Sequence, residues 1–193
     1  FILEAILLLL LSSCSTGEGW KTSTLLYFDT VCQIRLFCRD GDFQNAQQTV
    51  EGVFREVERL FSPDSMILDE AEVIDLYKKA REVHRISGGL FDISVAPLSR
   101  LWGFTDKSYR IPSTEEIQEV LSRVGLEKTT LEKDHISLPE GMTLDWGGIA
   151  KGYGIDMASN ELIRLGFSSG FINAGGDLYC WGKNPEGKLW QIG

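Results

Sequence analysis

Apolar and polar positions along the chain follow two rhythms. Leu25–Phe37 is crowded with β-branched and aromatic residues and reads as one long strand or two joined strands. From Asp42 to Phe61 the period becomes helical: Val50, Val53, Phe54, Val57, Leu60 and Phe61 form one stripe, with Glu51, Arg55, Glu56 and Glu58 outside it. A second helix over Glu72–Ile86 turns Val73, Leu76, Tyr77, Ala80 and Val83 inward and stops at Gly88-Gly89. His84, flanked in sequence by charged residues, reads as a surface histidine. Ser113 and Glu116 have the spacing of a capping box, which opens a helix through Ile117, Val120, Leu121 and Val124 that Gly125 ends. Lys128–Leu131 and His135–Leu138 form a hairpin around Glu132-Lys133-Asp134, and Leu189–Ile192 starts a further strand.

The densest stretch is Thr143–Asp156. Met142–Trp146 is apolar and reads as a strand, whereas Ile149, Ala150, Tyr153, Met157, Leu162 and Leu165 recur at helical spacing. Gly147-Gly148 is then a strand-to-helix elbow, with Asp145 before it and Lys151 one turn in. Two readings stand: a purely structural turn, or exposed N–H groups that cradle a phosphate or pyrophosphate. The spacing matches neither a phosphate loop ending in Gly-Lys-Ser/Thr nor a dinucleotide fingerprint. Gly170–Tyr179 repeats the logic of strand, glycine pair and carboxylate. It is either a second elbow, bringing Asn173 and Asp177 to the same cleft, or a hairpin with Gly175-Gly176 at its tip. Asp92, between Phe91 and Ile93, either caps the next turn or faces a ligand, and capping is favoured.

With 193 residues, 43% of them apolar, the chain can build one sizeable core. A formal charge of −9 and a pI near 4.8 argue against a nucleic-acid partner and against electrostatic attraction to an anionic membrane. Ile6–Leu11 is too short to span a bilayer and reads as a signal-peptide core, followed by Leu11-Ser12-Ser13-Cys14, which resembles the lipobox of bacterial lipoproteins. The expected organisation is a signal peptide over 1–14 with Cys14 lipidated, a flexible tether over 15–24, and a domain over 25–193. The protein is expected to be lipid-anchored on the extracytoplasmic face of the cell membrane. Cys32 and Cys38 lie six positions apart on a strand, too far for a disulfide, and with Cys180 read as buried small hydrophobes. Phe1 is not an initiator methionine and the last strand stops at Gly193, so both true ends are expected to lie outside the sequence.

Three ordered motifs resemble the ApbE family of FAD:protein FMN transferases over about Leu25–Gly193. They are Phe91–Leu98 with Leu101-Trp102-Gly103-Phe104, then Asp145–Tyr153, then Ile172–Asp177. The resemblance implies an α+β, T-fold-related mixed sheet with packed helices, its C-terminal part missing. It implies magnesium-dependent cleavage of FAD as substrate, transfer of FMN to a threonine of an acceptor protein, and release of AMP. Acceptors in the family are exported flavoprotein subunits of electron-transfer complexes, and a lipoprotein agrees with Cys14. Carried onto this sequence, the resemblance places flavin-nucleotide contacts at Phe28, Leu90, Phe91, Asp92, Asp145 and Lys151, and a magnesium ligand at the main-chain carbonyl of Gly148. A hard cation with oxygen ligands suits the cleavage of a diphosphate. The catalytic residue and remaining magnesium ligands are expected beyond Gly193, so this chain by itself is expected to be inactive. Asp29 stands where the family has glycine, and the family's Ser-x-x-x-x-x-Asn run after the first long helix is absent. An FAD pyrophosphatase and a non-catalytic FAD-binding lipoprotein are the alternatives.

Overall fold

The structure is a computed structural model and describes residues 17–63 and 65–193. The signal segment and Cys14 lie outside the described residues. Strands β1 (Glu18–Tyr27) and β2 (Thr30–Arg39) pair antiparallel along their whole length. The expected tether over 15–24 is therefore corrected: Glu18 onward is strand. Trp20 faces Phe37 across the ladder and Lys21 pairs with Asp40, while the exposed Thr22 and Thr24 give this edge strand its polar look. Two residues, Phe28 and Asp29, turn the hairpin with φ of 57° and 54°, the left-handed geometry that two-residue hairpin loops require. The Phe28 N–H donates to Glu58 Oε1 at 2.7 Å.

Helices α1 (Asp40–Phe61) and α2 (Ala71–Ile86) follow as the apolar stripes predict. A short 3₁₀ turn, Ile93–Val95, leads into α3 (Ala96–Leu101). The capping box of Ser113 and Glu116 opens α4 (Thr114–Leu121). A second 3₁₀ turn, Leu126–Lys128, precedes the small hairpin of β3 (Thr130–Glu132) and β4 (His135–Ser137), where His135 is exposed. Helix α5 (Ala150–Arg164) then leads to β5 (Gly170–Ala174) and β6 (Asp177–Trp181), a hairpin with Gly175-Gly176 at its tip.

The main sheet has the order β1-β2-β5-β6. The α+β class holds, and every strand pairing among the described residues is antiparallel. Two expected strands do not form. Met142–Trp146 buries Met142, Leu144 and Trp146 without a strand beside it, and its Asp145 N–H donates to the Ile93 carbonyl at 2.6 Å. Leu189–Ile192 is irregular.

The core has two parts. One side of the sheet, through Cys32, Ile34, Leu36, Ile172 and Ala174, packs on Val50 and Phe54 of α1 and on Ile155, Ala158 and Leu162 of α5. The second part joins the later half of α1 to α2, to Leu126 and Ile136, and to Trp146, Ala150 and Tyr153 at the start of α5. Cys32 and Cys38 are buried and free. Among the described residues no helix is long and apolar enough to cross a membrane.

Candidate functional site

The site forms where the buried segment ending at Trp146 becomes α5. The Trp146 carbonyl accepts from both Ile149 N and Ala150 N, at 2.9 and 2.8 Å, which tightens the helix entry. Asp145 fixes the elbow from the other side: Oδ1 accepts from Gly147 N at 2.9 Å, and Oδ2 accepts from Ser99 Oγ of α3 at 3.1 Å. Among the described residues no backbone N–H donates to the carbonyl of Gly148, an exposed residue. Lys151 Nζ lies 3.5 Å from Asp177 Oδ2, which joins the α5 entry to the start of β6. The glycine-pair hairpin is therefore compatible with a shared site.

Three concavities surround this elbow. The first, about 350 Å³, lies between the β1–β2 turn, the end of α1 and the elbow. Phe28, Phe61 and Trp146 give it aromatic walls, and Asp29, Glu58, Asp145 and Lys151 line it with charge. A second, about 290 Å³, shares Asp29, Pro63 and Asp145 with the first and continues past Ser99 and Arg100. The third, about 260 Å³, opens on the other side of the elbow over Gly148, Gly152, Asp156 and Asp177. Aromatic walls beside a fixed lysine and glycine backbone suit a ligand with a flat ring and a phosphate. The third concavity brings Gly148 and the carboxylates of Asp156 and Asp177 together beside Lys79, Leu76 and Ile149, and a backbone carbonyl with carboxylates is the kind of oxygen set a hard divalent cation takes. Tyr153, at its edge, has its phenol pushed up to about 12, by burial first and then by the charges of Asp75 and Glu72.

Of the residues singled out in the sequence, Phe28, Asp145 and Lys151 meet at the first cavity, and Gly148 lies on the third. Phe91 approaches Gly148 from behind; a Cβ added there would sit 3.4 Å from its ring. Leu90 and Asp92 line none of the three concavities. Leu90 is 92% exposed. Asp92 acts as the cap favoured by the sequence: Oδ1 accepts from Ser94 N and Ser94 Oγ, and Oδ2 accepts from Leu126 N. His84 is corrected from a surface histidine to a half-buried one whose ring meets the Phe91 carbonyl at 2.8 Å. The double glycine turns the chain back on the helix end, and helical periodicity carries no sign of that. Glu58, Phe61 and Ser99 join the site without a signal in the sequence, where each looks like ordinary helix surface or core.

The fold is thus a two-layer α+β scaffold with a cleft of about 350 Å³ against a glycine elbow. The ApbE family model matches residues 28–193, and the chain belongs to the ApbE family. It is 30% identical over 146 residues to the FAD:protein FMN transferase of Haemophilus influenzae, covering 72% of this chain and 41% of that protein. It is likewise 30% identical over 125 residues to that of Vibrio cholerae, covering 63% and 37%. The chain thus spans about two fifths of the length of these relatives. Its fold resembles the flavin transferase ApbE from Vibrio cholerae, with a TM-score of 0.81 and 23% identity over 91% of this chain and 63% of that one. The ApbE protein from Thermotoga maritima gives 0.78 and 24%, covering 86% and 60%.

Proposed function

We propose that the protein works in flavin transfer as an FAD:protein FMN transferase. In this reading a threonine hydroxyl of an acceptor protein attacks the FMN phosphorus, the bridging P–O bond of FAD breaks, AMP departs, and the hydroxyl proton is lost to a base. The acceptor is an exported flavoprotein subunit of an electron-transfer complex. The transferase is held at the extracytoplasmic membrane face by a lipid on Cys14, and a Cys14→Ala protein that stayed in the membrane fraction would refute that anchor.

The observation that carries the reading is the meeting of Phe28 and Lys151, distant in sequence, on one cleft, with Gly148 on the opposite side of the same elbow. Phe28, Phe61 and Trp146 would flank the ring system. Asp145 holds the elbow in shape through Gly147 N, and Lys151 supplies positive charge to a phosphate. Gly148 would hold a magnesium ion through its carbonyl, and that ion would supply charge neutralisation to the diphosphate.

The test is in-gel flavin fluorescence of an acceptor after incubation with FAD, magnesium and the complete protein. Covalent label is expected, and Lys151→Ala should reduce its rate by about a hundredfold, the scale of losing one electrostatic stabiliser. AMP formed without any acceptor would point to an FAD pyrophosphatase. Bound FAD that stays intact would leave a non-catalytic flavin-binding protein.

A further inference from the structure

Behind the Phe91 wall, on the face away from the α5 elbow, His84, Asp92 and Glu127 each place one ligand-type atom within 4.8 Å of the others. We propose that His84 and Glu127 form a binding site for a zinc-like transition-metal ion, independent of the flavin cleft.

The tautomer is fixed by the hydrogen bond to Phe91. A carbonyl oxygen can only accept, so His84 Nδ1 carries the hydrogen it donates there at 2.8 Å. In the neutral imidazole the lone pair then lies on Nε2, and a ring N–H on a backbone carbonyl is the usual support of a metal-bound histidine. Nε2 faces Glu127 Oε2 at 3.9 Å, beyond hydrogen-bond range yet close enough for small side-chain rotations to bring both onto one ion. Asp92 Oδ2 lies 3.6 Å from Nδ1, but its carboxylate already accepts three hydrogen bonds. Asp92 therefore stays behind the ring, on the Nδ1 side, and is not one of the two proposed ligands.

The pair is open to solvent. The Glu127 side chain is 65% exposed and that of His84 19%, and both line an open concavity between α2 and the Leu126–Lys128 turn. Arg81, Arg85 and Lys78 share that wall. Arg81 is turned onto Tyr77 Oη and the Thr129 carbonyl, and Arg85 is forked onto Glu82, which leaves Nε2 and Glu127 facing solvent. Imidazole nitrogen with carboxylate suits zinc, cobalt or nickel and not magnesium, which prefers an all-oxygen set. Water would complete the coordination.

The experiment is calorimetric titration of the intact protein with Zn²⁺ alone, with Co²⁺ absorbance as a second readout. One ion per chain is expected in the presence of excess Mg²⁺, with affinity falling as the pH is lowered because protons compete for Nε2. Glu127→Gln, at an exposed position, should keep the fold by circular dichroism and lose affinity by at least about tenfold. His84→Asn should do the same, though it also removes the bond to Phe91. Zinc binding unchanged in Glu127→Gln, or displaced by Mg²⁺, would place the ion on other carboxylates and overturn the proposal. Absence of zinc binding would overturn it equally, leaving His84 as a hydrogen-bond donor to the Phe91 carbonyl. Neither result bears on flavin transfer, because these residues lie outside the three concavities at the elbow.

Discussion

Asp92 shows how far a single residue can be read. Its bond to Ser94 N spans two positions, so capping is visible in the local sequence. Its bond to Leu126 N spans thirty-four and is not. That second bond ties the turn before α3 to the turn after α4, and it explains why a carboxylate tolerates partial burial among Phe91 and Ile93. Asp92→Asn replaces an acceptor with an N–H₂ group facing a backbone N–H, or forfeits the bonds to Ser94. It should cost about 1–3 kcal/mol of stability, measured by urea unfolding, with the FAD affinity of the folded protein nearly unchanged. A large loss of affinity at full stability would return Asp92 to the ligand. Tyr153 makes a pH prediction. Its phenol titrates near 10 in the unfolded chain and at about 12 in the folded one. Below the unfolded value both states are neutral and the contribution to stability is complete. Between the two values the unfolded chain ionises first, so stability falls as the pH rises. Urea midpoints at pH about 9 and about 11 should differ more in the parent than in Tyr153→Phe; equal slopes would refute this assignment.

At the scale of elements, amphipathic helices and local caps were legible because their signals lie within a few residues of one another. α1, α2, the Ser113–Glu116 box and the two-glycine hairpin before β6 all follow from such signals. Met142–Trp146 misled because Leu144 and Trp146 are buried at alternating positions, as in a strand, yet they insert between helices with no partner strand beside them. β1 misled in the opposite sense, since edge position left its polar residues exposed. The cleft itself was half legible: the elbow and its flanking charges are contiguous, whereas the walls from Glu58 and Phe61 arrive through tertiary packing. Gly152 in α5 belongs to this scale. A Cβ there would meet nothing within 4 Å, and alanine favours helix over glycine by roughly 0.5–1 kcal/mol, so Gly152→Ala should raise stability by about that amount. The open space is part of the concavity over Gly148, and the same change should weaken FAD binding, measured by flavin fluorescence titration. Equal affinity would show that the ligand lies wholly on the Phe28 side of the elbow.

For the whole molecule, α5 is one of two helices common to both parts of the core: Ala150 and Tyr153 belong to one, Ile155, Ala158 and Leu162 to the other. α1 makes the same bridge in the reverse sense, so the two helices run antiparallel across the joint. Neither half of the interior can loosen without disturbing the helix whose first turn carries Lys151. Occupancy of the cleft is therefore linked to global unfolding: a ligand held only by the native elbow adds about 2.7 kcal/mol when present at a hundred times its dissociation constant. Heat then becomes a reporter of recognition, and a melting curve recorded over a panel of nucleotides would rank them without any acceptor protein in the tube.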